Sequence, residues 1–476
     1  MDNGELQKTI EVLKSVTLES ANISPDVRKD FNLSSGMQEY NLEQGAKFLF
    51  PLMSPLRNIL PRVGGKGKQV EYKAITGINT TGDQGWVAEG VSGNILSSSY
   101  SDVFAVYRTM SQGDRVTFEQ QWAGAGFIDS KATAVANLLR SIMITEEKNI
   151  LFGQNTVSAT NQQAPGAVGT CPAPTITASA TGGAIGAVTV YVQITARTGM
   201  GQSLPSAVVS TAALTGSTNS VNVAFPSIPG QPVLGYDVFA GTSATALYKV
   251  GASNVSGSLG GVVGTSTMTS NGAPVTLTSI PVSGAVPPTS DNSANANAYN
   301  GILAQIFGGV GATITQVNGV LSNKSAIDNH LLKMWQASYA DPNMLLVNGA
   351  DSTTITNLTL GASGTPYFVM VDNQGAATGS YRTARYVNPV TGTELPVISH
   401  PYMPQGTMLA LSTKLPSWYV PSNIPAPIAV DAVQDYTEID YPPVYGTRAW
   451  PVEVMLYSTL KLYIPLLQGV ITGILA

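Results

Sequence analysis

QVEYKAIT (69–76) and YSDVFAVYRT (100–109), followed by IDSKATAVANLLRSIMITEEKNILF (128–152), decide how this chain is read. The first two segments alternate β-branched and aromatic residues with polar ones, the period of half-buried strands. Between them lies a polar, Gly-rich tip, Gly77–Ser99, with a lone Trp86. The pair predicts a long two-stranded ribbon. At 3.3–3.4 Å per residue, strands of about 10 residues reach about 30 Å plus the tip. Such a ribbon is marginal in water alone, so it needs a surface to lie on, its own domain or another chain. The third segment predicts one long helix. Ile128, Ala132, Val135, Leu139 and Ile142 form its apolar stripe, Asp129 or Ser130 can cap its start, and Gly153 is a fitting stop.

Upstream, Leu6, Ile10 and Leu13 have helical spacing within 4–19, whereas QEYNLEQGAKFLFPLMSPLRNILPRV (38–63) has three prolines and no sustained period. That stretch predicts an extended arm. Downstream, charge changes abruptly: residues 1–153 hold 32 of the 53 charged residues, 154–300 hold four (Arg197, Asp237, Lys249, Asp291), and 301–476 hold 17. The middle block is therefore a separate module, between linkers at 155–166 and 282–298. Its apolar runs at Thr175–Ser179, Val188–Thr195, Ala207–Thr211, Val221–Phe225, Gly235–Ala240, Leu247–Val250 and Val275–Ser279 predict seven short strands, the arithmetic of a β-sandwich. YDVFAGTSATALYKVG (236–251) resembles neighbouring strands of an immunoglobulin or fibronectin type III domain. The last part is mixed: a helix from Ser325, capped by that serine and ended by Asp341-Pro342, and strands at Met344–Val347, Tyr367–Val371, Leu395–Ser399, Thr407–Leu411 and Val452–Tyr457. The fold class is α+β, without the regular βαβ rhythm of a doubly wound enzyme.

Composition excludes several functions. Only 11% of the 476 residues are charged, against about 25% usually, and the net charge is −5. No basic excess exists to drive general nucleic-acid binding. One cysteine, Cys171, and two histidines, His330 and His400, leave no disulfide framework and little material for a metal centre. The opening MDNGELQKTI is not a secretory signal, and the apolar tail from Leu462 is too short and too broken to span a bilayer, so no membrane partner is expected. Gly64-Gly65-Lys66-Gly67-Lys68 fails the phosphate-loop pattern because Gln69 stands where Ser or Thr is needed. No GxSxG elbow occurs. Glu146 and Glu147 are adjacent and read as solvated or salt-bridged, and Asp431, Asp435, Glu438 and Asp440 as a solvated acidic strand rather than a calcium site. His330 is expected on a surface-facing helix position. No catalytic, cofactor-binding or metal residue is assigned, and the chain is not expected to be an enzyme.

The order of parts (arm, long ribbon, long helix, α+β domain, returning C-terminal strand) resembles the major capsid protein of tailed bacteriophages, the HK-ninety-seven-like fold. DNHLLKMWQASYADPNMLLVNG (328–349), VISHPYMPQGTMLAL (397–411) and DYTEIDYPPVYGTRAWPVEVMLYSTLKLYIPLLQGVITGI (435–474) carry the resemblance in detail. It implies an N-terminal arm at 1–60, an E-loop ribbon at 61–115, a spine helix and the start of a peripheral domain at 116–155, an inserted immunoglobulin/fibronectin III-like sandwich at 160–285, and the remaining peripheral and axial domains at 299–476. It further implies a structural protein of the virion, assembled in the host bacterial cytoplasm into hexamers and pentamers of an icosahedral head. Its partners would be itself, a portal, and a separate scaffolding or decoration protein. Packaged double-stranded DNA would touch only the shell interior, without sequence-specific binding. Some relatives cross-link through a Lys and an Asn, and no position here matches that pair. Lys66, Lys68, Arg108 and Arg115 near the ribbon base, Glu146, Glu147 and Lys148 on the helix, and Trp86 at the tip are the candidate inter-subunit contacts. The alternative is another virion or surface-fibre protein, adhesin-like, built around the β-module.

Overall fold

The computed structural model describes residues 54–77, 86–92, 99–124, 129–156, 165–251, 255–256, 274–309, 311–321, 323–360, 385–416, 424, 426–443 and 448–475. The helical spacing at 4–19, nearly all of the expected arm, and the strand expected at Tyr367–Val371 lie outside these residues.

The described chain opens with α1 (Pro55–Ile59), one turn with a proline where no intrahelical N–H bond is needed, and β1 (Arg62–Gly64). Then β2 (Gln69–Gly77) and β3 (Ser99–Val106) pair antiparallel, from Gln69↔Val106 to Gly77↔Ser99, as a sheet of their own. This is the predicted ribbon. Its return strand does not run unbroken to residue 109 as expected: it divides at Tyr107, and β4 (Arg108–Thr117) joins a different sheet. The cause is Tyr107 itself. That ring is 3% exposed and its hydroxyl is buried in the body, which pulls the strand inward. Arg108 and Arg115 therefore sit on a strand of the body rather than on the ribbon.

After β4 come α2 (Phe118–Ala123), capped by the Thr117 hydroxyl accepting the Gln120 N–H, and α3 (Ser130–Phe152). Of the two expected caps for α3, Asp129 serves, accepting from the N–H groups of Lys131 (3.0 Å) and Ala132 (3.2 Å), and Gly153 ends the helix. At 23 residues it is about 35 Å long. The buried stripe differs from the expected one: Ala134, Leu138, Ile142, Ile150 and Leu151 face inward, while Ala132 is exposed and Val135 and Leu139 are half-buried. Ile128 lies outside the described residues, and among the described ones only Ile142 belongs to both stripes. The helix turns by the amount needed to seat Leu138 and Ile142 against Val116, Val452 and Leu456 of the sheet behind it.

The middle block folds as β5 (Thr175–Ser179), β6 (Tyr191–Arg197), β7 (Val209–Ser210), β8 (Ser220–Ala224), β9 (Gly235–Ser243), β10 (Ala246–Lys249), β11 (Val255–Ser256) and β12 (Val275–Leu277). Two four-stranded sheets, β10-β9-β6-β7 and β11-β12-β8-β5, close on one apolar core that includes Val192, Ile194, Val221, Val223, Tyr236 and Leu277. All seven expected strands have a counterpart, and β11 is an addition.

The chain continues through α4 (Ile302–Gly308), β13 (Thr313–Val320), α5 (Ser325–Ser338), β14 (Met344–Val347), α6 (Gly349–Leu360), β15 (Arg385–Val387), β16 (Glu394–Ser399) and β17 (Met408–Leu411). It ends with β18 (Ile428–Asp440), β19 (Ala449–Leu462), a 3₁₀ turn at Pro465–Leu467 and β20 (Gly469–Leu475). Ser325 is not the cap of α5: its N–H is taken by the Asn323 side chain at 3.1 Å, and the helix stops at a left-handed Tyr339 (φ 52°) before reaching Asp341. One sheet has the order β1-β18-β19-β4, the other β13-β20-β17-β14-β16-β15. Leu56, Ile150, Ile302, Ile306, Leu409, Ile428 and Leu460 form a core joining α1, α3 and α4 to both sheets. Each such side chain, fully buried, contributes roughly 1.5–3 kcal/mol relative to exposure. Among the described residues no helix is long and apolar enough to cross a membrane.

Candidate assembly interface

The ribbon has two unlike faces, as strand alternation dictates. Tyr72, Ala74 and Val103 turn inward, and Ala74 and Val103 are buried. Gln69, Glu71, Lys73, Tyr100 and Asp102 turn outward and are exposed, with Lys73 and Asp102 paired across the strands at 3.6 Å. The ribbon's base thus lies on its own chain while the other face stays open. Beyond it, Trp86–Ser92 is exposed throughout and Trp86 is 95% accessible.

The base is fastened at the edge of β19. Ladder pairing between β4 and β19 stops at Arg108↔Ser458. Past that point side chains replace the ladder: the Leu462 N–H donates to the Tyr72 hydroxyl at 3.3 Å, and Gln305 Nε2 donates to the Leu460 carbonyl at 3.1 Å. Tyr72 and Tyr463 also meet edge to face at 5.2 Å. At the turning point the Tyr107 hydroxyl donates to Asp431 Oδ2 at 3.0 Å, and Lys461 Nζ meets the same oxygen at 2.6 Å. Burial and this carboxylate partner both raise the Tyr107 pKa, keeping the phenol protonated. For Lys461, burial works to lower the pKa, but the bonds to Asp431 and Tyr463 outweigh it and the result is a raised value. Gly65 completes the fit, since a Cβ there would lie 2.4 Å from the Tyr107 hydroxyl and 2.6 Å from Asp431 Oδ1.

Glu146 and Glu147 are not solvated. Both are 0% exposed, and their partners come from their own chain. Glu146 binds Arg57 at 3.2 Å, Arg62, and the Tyr436 hydroxyl. Glu147 accepts the N–H groups of Leu56 (2.9 Å) and Arg57 (2.8 Å) and contacts His400 Nε2 at 2.6 Å. Two adjacent carboxylates on α3 therefore hold α1, β1, β18 and the turn after β16. Lys148 is exposed and lies 4.9 Å from the Tyr402 ring centre.

Lys66 and Lys68 are exposed, and among the described residues no ion pair involves them, Arg108 or Arg115. The eight candidate contacts thus separate into Trp86, Lys66, Lys68, Arg115 and Lys148 on the surface, Arg108 half-buried, and Glu146 and Glu147 inside. The acidic set divides as well. Asp431 is 2% exposed, Asp435 pairs with Arg62 at 3.2 Å, Asp440 pairs with Lys131, and among the described residues no group of three His, Cys, Asp or Glu could hold a metal ion. His330 does not face solvent: it is buried beside Thr315 (2.9 Å), and burial, with Lys333 nearby, lowers its pKa to about 4. Sequence reasoning missed two groupings, Tyr107 with Asp431 and Lys461, and Glu147 with His400, because Tyr107 and Asp431 are 324 residues apart and Glu147 and His400 are 253 apart.

Residues 282–420 match the family model described as the SU10 major capsid protein. No curated protein matches the chain. Solved structures similar to it include the capsid of a native GTA particle (8% identity, TM-score 0.44, 95% of this chain and 99% of that one). Another is the cyanophage A-1(L) capsid (12% identity, TM-score 0.43, 93% and 97%). A third is the SrpI encapsulin complex from Synechococcus elongatus (8% identity, TM-score 0.36, 95% and 95%). Over residues 282–420, the stretch that holds α4 to β17, the expected resemblance to a phage major capsid protein is borne out by the match to this family model.

Proposed function

We propose that this chain is the major capsid protein of a tailed phage, self-assembling into hexamers and pentamers of an icosahedral head around double-stranded DNA. The match of residues 282–420 to the SU10 major capsid protein carries the reading. Two physical features support it. The ribbon leaves one face exposed, as is Trp86–Ser92 beyond it, and a shell subunit needs extended elements to supply interfaces of about 1,600 Å² each. The net charge of −5 and the low charge content keep the protein from gripping the packaged duplex. In this reading the protein resides in the virion, is assembled in the host bacterial cytoplasm, and works with a portal and a separate scaffolding or decoration protein. The exposed candidates Lys66, Lys68, Arg115, Lys148 and Trp86 would contact neighbouring subunits. The β-module, an immunoglobulin or fibronectin III-like insertion at 160–285, would stand on the outside of the shell.

Negative-stain microscopy of the expressed chain tests the proposal. Closed shells or hexameric rings are expected. Fibres, or small monodisperse particles at every protein concentration and salt tried, would overturn it.

A further inference from the structure

At the end of β4 remote from the ribbon, α2 and the start of β19 build an aromatic cluster. The Phe118 ring sits between Trp122 (centres 5.9 Å apart) and Trp450 (5.2 Å). Trp122 is 72% exposed, although the chain has only five tryptophans and could have covered it. A large aromatic left in water beside two others marks a contact surface, because Trp and Arg concentrate at the centres of protein interfaces. The rim carries both signs of charge. Arg448 and Glu119 are exposed by 85% and 62% and only graze each other at 3.9 Å, and exposed Arg115 pairs in register with Pro451, next to Trp450.

We propose that this cluster, with Trp122 as its exposed member and Glu119 and Arg448 at its rim, docks a second copy of the same chain. The mixed rim identifies the occupant: identical surfaces meeting by rotation set each copy's cation against the other's anion. A uniformly charged partner such as a nucleic acid would leave Glu119 without a match. The inference rests on the self-assembly reading above and names a surface that lies away from the ribbon.

The test uses the full chain. Trp122→Ala should reduce the yield of sedimentable particles roughly tenfold or more, while circular dichroism of the unassembled protein stays unchanged, since the side chain lies mostly outside the fold. Glu119→Arg and Arg448→Glu should each impair assembly, and the double exchange should restore it. Independently, Glu119→Cys chains co-assembled with Arg448→Cys chains should give disulfide-linked dimers under mild oxidation. The native Cys171 is buried and cannot contribute. If the unsubstituted chain forms no particles, the capsid reading itself fails. If it assembles, and Trp122→Ala assembles equally well with no cross-linked dimers between the cysteine variants, only this inference is overturned.

Discussion

In the β-module, Asp237 is fully buried and receives Arg197 at 2.8 Å and Lys249 at 3.2 Å, so three of the four charges between residues 154 and 300 meet at one point. The fourth, Asp291, accepts the Gly169 N–H at 2.8 Å. At the ribbon the arrangement is reversed: Lys66 and Lys68 stand exposed, Lys73 and Asp102 pair in water, and Gln69, Glu71 and Tyr100 face outward beside them. The first region is closed on itself, with a core between two sheets. The second has one face on its own chain and the other in water. The contrast teaches that scarcity of charge is handled locally, by inward pairing where two sheets close on a core and by outward display where only one face of an element is covered.

Four substitutions break or sharpen that contrast. The largest effect is expected from Asp237→Ala, which strands two cations and should destabilise the module by about 3–5 kcal/mol; urea unfolding would show it, with particle formation by the rest of the chain retained. Gly65→Ala strikes the ribbon root, where the new methyl meets Tyr107 and Asp431 below 3 Å. A cost of roughly 1–3 kcal/mol is expected, together with faster amide exchange across β2 and β3.

A third test concerns Asp351, a buried carboxylate that accepts the Gly406 N–H at 2.8 Å and has no ion pair among the described residues. Burial raises its pKa to about 6 from a usual value of 3.8, against the lowering effect of the Gly406 hydrogen bond. The folded state therefore holds this proton more tightly than the unfolded one, and the associated stability is present at pH 4 and lost as pH rises through 6. Asp351→Asn should be more stable than the wild type above pH 6, by roughly 1–2 kcal/mol, and the two melting curves should converge toward pH 4. The smallest effect is expected from Tyr72→Phe, which removes one acceptor for Leu462 and should cost about 0.5–1.5 kcal/mol, read as local exchange at the ribbon base.

Local signals carried far in this sequence. Asp129 and Gly153 bound α3 where a cap and a stop were expected, and Met344–Val347 is a strand end to end. What failed was information held by distant partners. The stripe of α3 is set by the sheet residues Val116 and Val452, so periodicity inside the helix could not fix its rotation. The segment ILAQIFG forms α4 with its first five residues buried, leaving no polar face to mark a period. Register breaks at Ala432/Gln434 and Gln434/Thr437 hide the 13-residue β18 behind broken alternation. The candidate contacts divided for the same reason: exposed Lys66 and Trp86 need no partner to be read, whereas Glu146 and Glu147 gain theirs from residues 57, 62, 400 and 436.

The switch of one continuous segment from ribbon to sheet at Tyr107 has a mechanical consequence. Tension applied to the outer end of the ribbon is led along the backbone straight into β4, whose ten paired positions with β19 run parallel to that backbone. Their hydrogen bonds are loaded together, in shear, instead of being peeled one after another from an end. A slender projection tied in this way can be tugged hard before it tears loose.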